Sequence, residues 1–298
     1  MPNNRGTVKS NLPLRDFRIV TTAVNVPGPV AAARLRELGA KVVKIEPPNG
    51  DPLSEYCYEW YSELLRGQKL VRLNLKQTTG RERLDKLLSH ADLLLTATRP
   101  AALRRLSLGW EDLHAKFSAL CHVALVGHAS QRQNLAGHDL NYQARVGLVV
   151  PPHMPNTLSA DLASAERIVS AALGLLLLRR QFRTGFYTEV VIENVAADFA
   201  APLRYGLTAP DGILGGGSAH YSMYPARQGW VAVAALEPHF LKRLQEELQL
   251  ETVDAKQLSL AFTARTAQQW ERWAQVRDLP ITAVHGRDEV PRRRRPKR

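Results

Sequence analysis

Short aliphatic runs alternate with amphipathic stretches over roughly the first 190 residues, and this alternation carries the structural signal. Residues 17–24 have the β-branched richness of a strand, and residues 29–38 repeat apolar positions at helical spacing before Gly39 stops them. Residues 41–46 read as a second strand, completing a βαβ unit. The same reading predicts strands at 70–75, 92–96, 120–127 and 187–192, with helices at 80–90 and 109–116. A longer helix is expected over 162–183, with Gly185 as its C-cap. Strands separated by helices pair in parallel, so the expected fold class is α/β: a Rossmann-like, doubly wound parallel sheet.

Past residue 210 the pattern changes. Asp211, Gly212 and Gly215 to Gly217 interrupt regular structure and read as a hinge or lid. A strand at 230–234, helices at 238–248 and 266–276, and a short strand at 281–284 then make a second, smaller α/β domain. The expected organisation is a large domain over 1–210, a small one over 211–290 and a disordered basic tail over 291–298. With 298 residues, 45% of them hydrophobic, the chain can bury a sizeable core without staples.

Charge changes the picture only slightly. The formal +12 includes six charges from residues 292–298, leaving 12 − 6 = +6 for the rest. That suits an anionic, phosphate-bearing ligand, and no recognition pattern for nucleic acid accompanies it. The start lacks an apolar leader, and the longest apolar run, 171–178, is far below the ~20 residues that span a bilayer. Cys57 and Cys121 show no metal-ligand spacing, so both are expected to be thiols in a reducing cytoplasm.

Two runs hold the candidate chemistry: Gly137-His138-Asp139-Leu140-Asn141-Tyr142, and Ala160-Asp161 opening the long helix. A histidine titrates near neutrality and can act as acid or base. A carboxylate at a helix start is expected to be ionised by the positive end of the macrodipole, and its role there is either catalysis or simple capping of the helix. Free amides there would also hold a developing oxyanion. Asp139 is a candidate to orient His138 or to cap the segment that follows, and Glu237, before Pro238, has the same choice between chemistry and capping. Metal spacing, a serine elbow and a convincing phosphate loop are all absent from the sequence.

These residues resemble those of the family III CoA-transferases, which include the formyl-CoA and carnitine-CoA transferases, and most of all the α-methylacyl-CoA racemase branch. The similarity runs over about residues 16–290 through five ordered matches. They are Pro27-Gly28-Pro29 followed by 38–46, then Leu73-Asn74-Leu75-Lys76, then 137–142, then Ala160-Asp161, then Ala235-Leu236-Glu237-Pro238. The resemblance implies an acyl-CoA substrate and catalytic roles for His138 and Asp161, with Glu237 and Asp139 in support. It also implies CoA contacts at Leu73, Asn74 and Leu75, at Thr96, Ala97, Thr98 and Arg99, and at Arg105, together with an interlocked homodimer; the lack of ligand spacing predicts no metal. Racemase-like proton transfer beside a thioester carbonyl is the leading expectation, because inversion needs two groups and the motifs supply two. CoA transfer through an aspartyl-CoA thioester at Asp161 is the alternative. A CoA-binding relative without turnover is the third reading, motivated by departures from the family pattern at 65–69, 96–98 and 127–132.

Overall fold

A computed structural model describes residues 12–286, and the expected basic tail lies outside them. The chain divides into two compact units at Ala200–Ala201, ten residues before the composition shift at Asp211.

The first unit follows the order β1 (Arg18–Thr21), α1 (Pro27–Glu37), β2 (Lys41–Glu46), α2 (Leu53–Tyr56), α3 (Tyr58–Leu65), β3 (Lys69–Arg72), α4 (Thr78–Leu88) and β4 (Leu93–Thr96). It continues with α5 (Pro100–Arg105), α6 (Trp110–Lys116), β5 (Cys121–Val126), α7 (Asp139–Arg145), α8 (Ser159–Phe182), β6 (Tyr187–Val191) and α9 (Ile192–Phe199). The six strands form one all-parallel sheet in the order β3-β2-β1-β4-β5-β6. Every residue of β4 and β5 is buried, as a sheet covered on both faces requires. One face packs Ile19, Leu93, Leu95 and Val123 under α1, α8 and α9; the other packs Val20, Ile45 and Leu94 under α4, α5 and α6. Fully buried Ala31 and Ala32 of α1 and Ala165 and Ala172 of α8 leave room for these two packed helices to approach closely.

The doubly wound sheet matches the expectation, but several element ends differ. The long helix starts at Ser159 and ends on Arg183, which takes the left-handed conformation (φ 55°), so Gly185 is not its cap. Gly185 is needed for a different reason: a Cβ there would lie 2.0 Å from the Leu120 carbonyl oxygen. The helices α2, α3, α5 and α9 have no counterpart in the sequence reading, being short pieces without several turns of periodicity. Cys57 is exposed and Cys121 buried, and both are free thiols.

The second unit comprises α10 (Ala201–Arg204), β7 (Tyr221–Pro225), β8 (Trp230–Ala234), α11 (Pro238–Leu248), α12 (Ala255–Phe262), α13 (Ala267–Gln275) and β9 (Ile281–Ala283). Its three strands are antiparallel in the order β7-β8-β9, and helices close a core of Tyr224, Val231, Val233, Leu244, Phe262 and Trp270. The glycine segment forms successive tight turns, with Leu214 N–H donating to the Leu207 carbonyl and Gly217 N–H to that of Gly212. Among the described residues no helix is long and apolar enough to cross a membrane, and no group of three or more metal-ligating side chains forms.

Candidate active site

Neighbouring strands β1 and β4 send their chains to opposite faces of the sheet. From β1 the backbone turns to α1, whose Val30 and Ala31 join one core; from β4 it turns to α5, whose Leu103 joins the other. This divergence opens a crevice at the carboxyl ends of the strands, where open α/β sheets hold ligands. A cavity of about 240 Å³ occupies it, lined by Asn25 and Pro27 after β1, Ala97 and Arg99 after β4, Gly127 after β5, and His138, Tyr142 and Asp161.

Local packing explains the Gly137-to-Tyr142 motif. Tyr142 is buried, and its hydroxyl lies against two glycines: an added Cβ would approach it to 2.6 Å from Gly137 and 2.2 Å from Gly127. His138 is the extended residue that precedes α7, and its N–H donates to Asn141 Oδ1 at 3.0 Å, leaving an exposed imidazole at the cavity. Asp139 neither orients that ring nor caps α7. Buried at 4% exposure, it accepts the Asp161 backbone N–H at 3.0 Å and the Gln143 amide at 2.5 Å. Asp139 thus caps α8 from outside the helix and ties the two motifs together.

Asp161 lies in the first turn of α8, yet it is not the fully ionised carboxylate that the helix start suggests. Burial raises its pKa to about 7, with the neighbouring Asp139 charge adding to the shift. Half-protonated near neutrality, it can both take and give a proton. Its backbone amide is already committed to Asp139, so that donor is not free for an oxyanion. Burial chiefly, then the Asp161 and Glu193 charges, raise the Tyr142 phenol pKa and keep it protonated.

Two supporting clusters escaped the sequence reading. Asp51 accepts the N–H groups of Asn25 at 2.9 Å and Leu53 at 3.0 Å and pairs with buried Lys44; Lys44 also meets Glu46 at 3.3 Å. This holds Asn25 in its left-handed conformation (φ 70°) at the cavity wall. Lys44 and Glu46, charged residues inside a strand that is buried at both positions, were the available signal. Behind Tyr142, Glu193 binds His128 Nδ1 at 3.0 Å, Arg132 at 2.8 Å and Arg145 at 3.3 Å. Four residues so scattered in sequence gave no pattern to read.

The structure brings His138, Asp161, Ala97 and Arg99 to one cavity, with Asp139 directly behind Asp161. Leu75 and Arg105 line a separate groove of about 600 Å³ with Lys76, Thr78 and Ala102. Asn74 Oδ1 accepts the Lys76 N–H at 3.1 Å, and Thr98 is part-buried on the loop between β4 and α5. Two side chains expected at the ligand are committed elsewhere: Leu73 is in the core, and fully buried Thr96 lies 2.9 Å from His122 Nε2. Burial lowers the His122 pKa to about 4, so it stays neutral there. Glu237 belongs to the other unit, exposed ahead of α11, where its side chain makes no capping bond.

Comparison with known proteins bears on this site. Human alpha-methylacyl-CoA racemase is 29% identical, aligned over 93% of this chain and 79% of that protein. The succinyl-CoA–D-citramalate CoA-transferase of Chloroflexus aurantiacus is also 29% identical, over 58% of this chain but only 47% of its own length. The crystal structure of hypothetical protein Rv3272 from Mycobacterium tuberculosis has the same fold, with a TM-score of 0.82 at 23% identity, covering 93% of this chain and 87% of that one. The family model for CoA-transferase family III matches residues 14–295, and the chain belongs to that family of enzymes.

Proposed function

We propose that this enzyme moves the α-proton of a 2-methylacyl-CoA thioester, inverting the carbon through His138 and Asp161. The observation that carries the reading is one cavity lined by an imidazole and by a carboxyl group whose pKa is near 7. The thioester carbonyl acidifies the adjacent C–H. One group in its basic form removes that proton, the electron pair moves into the carbonyl as an enolate, and the other group, in its acid form, protonates the opposite face. Each group ends in the state the other began with, so the reverse reaction runs by the same route. Asp139 holds the Asp161 backbone, and burial first and the Asp139 charge second keep the Asp161 pKa near 7. For the CoA portion, Arg99 at the cavity and Arg105 and Lys76 in the separate groove of the first unit supply cations for phosphate groups.

The alternative is CoA transfer, in which ionised Asp161 attacks the thioester carbonyl and His138 is dispensable. The transferase among the similar proteins favours keeping it. Deuterium incorporation at C2 of a 2-methylacyl-CoA in deuterated water separates the two. Exchange accompanied by inversion, with the inversion falling at least ~100-fold in His138→Ala, supports proton transfer; no exchange, with CoA passing to added carboxylic acids, supports transfer. Glu237 is proposed as a supporting residue from the resemblance alone. We further propose a homodimer in a reducing cytoplasm, in keeping with the two free thiols.

A further inference from the structure

Three neighbouring strands open with the same pattern, a cation, an aliphatic residue and a valine: Arg18-Ile19-Val20, Lys41-Val42-Val43 and Lys69-Leu70-Val71. Side chains two apart on a strand share a face, so each cation and its valine lie on one side of the sheet. The register sets Arg18 beside Lys41 and Val20 beside Val43, with Lys69 next to Val43. Across from them α4 and the residue pair after its last turn present Arg83, Lys86, Leu87 and His90, at spacings that share one helical face. Together they line a groove of about 720 Å³ at the amino ends of the strands, the opposite end of the sheet from the cavity of His138 and Asp161.

The chemistry of this lining is binary. Apart from His90, every lining residue is either cationic or aliphatic, and none is acidic. Arg18, Lys41, Lys69, Arg83 and Lys86 are exposed, and none forms a side-chain ion pair among the described residues. Five permanent like charges around an apolar floor repel one another, and an anion relieves that repulsion. A nucleotide base would call for stacking rings and polar edges to meet its own, and the groove offers neither beyond His90. An alkyl chain needs only aliphatic contact.

We infer that this groove is a binding site for a monomeric anionic amphiphile, an alkyl chain with a phosphate or carboxylate head, lying on Val43 and Val71 with its head among the cations. The inference stands independently of the reaction assigned to the other end of the sheet.

Calorimetric titration of the full-length protein with dodecyl phosphate, below its micelle threshold, tests it. One-to-one binding is expected, weakening with added salt, and falling at least tenfold in Lys41→Glu/Lys69→Glu while Asp161→Asn binds as wild type does. Lys41→Gln/Lys69→Gln, a milder change at the same exposed positions, is expected to fall severalfold, and circular dichroism checks that both variants fold. Inorganic phosphate binding as tightly, or dodecyl maltoside binding as tightly, would overturn the inference by showing that one half of the ligand suffices. So would affinity unchanged in both variants, which would locate the ligand elsewhere, or binding only to phosphatidylglycerol vesicles, which would make the surface a membrane contact.

Discussion

Asp139 and Asp161 are two carboxylates linked through one amide, and their electrostatics set the pH behaviour expected of the site. Replacing Asp139 by Asn keeps an oxygen for the Asp161 N–H but removes the charge that adds to Asp161's raised pKa. Asp139→Asn is therefore expected to move the ionisation seen in the exchange rate downward from about 7, with burial alone maintaining the remainder; an unmoved profile would separate the two carboxylates energetically. Stability follows from the same shift. Because the folded pKa is above its ordinary 3.8, the native state holds a proton that the unfolded chain has released, and stability falls as pH rises from about 4 to about 7. Asp161→Asn removes that loss, so its melting temperature is expected to exceed wild type by on the order of 3–8 °C at pH 8 and to match it within about 1 °C at pH 4. The sequence named both residues but predicted an ionised Asp161. Burial and a neighbour 22 positions away decide that state, and neither is visible in the local run.

Among the elements, strand cores were the most legible. The run from Lys41 to Glu46 became β2 without change, because aliphatic residues between turn signals leave little choice. Ends were less so, since they depend on contacts across the fold. Arg183, not Gly185, ends α8 in the left-handed region, and a glycine there would adopt that conformation without steric cost. Arg183→Gly is expected to gain about 0.5–1 kcal/mol in urea unfolding. Gly185→Ala, forced against the Leu120 carbonyl, is expected to lose about 1–3 kcal/mol. The opposite ranking would restore Gly185 as the cap. In the sequence, α7 shows as little more than a segment after His138. Its seven residues give too few turns to reveal a face, and its order comes from Tyr142 packed on Gly127 and Gly137.

At the scale of the molecule, alternating elements specified the parallel sheet, and the sheet's change of direction between β1 and β4 specified where a ligand crevice must lie. The second unit was legible as α/β from Trp230 to Ala234 and the helix after Pro238, while β7 and α12 were not, their polar and apolar positions being too mixed. Motifs in the first unit separated by twenty residues converge on one cavity because α7 and α8 are tied through Asp139. The central claim is that His138 and Asp161 exchange a proton with the same carbon. Its most direct test is deuterium incorporation at C2 of a 2-methylacyl-CoA by wild type, His138→Ala and Asp161→Asn. Deuterium incorporation with inversion by wild type, and a loss of inversion of at least ~100-fold in each variant, is the predicted result. Inversion at the wild-type rate in both variants would contradict the account.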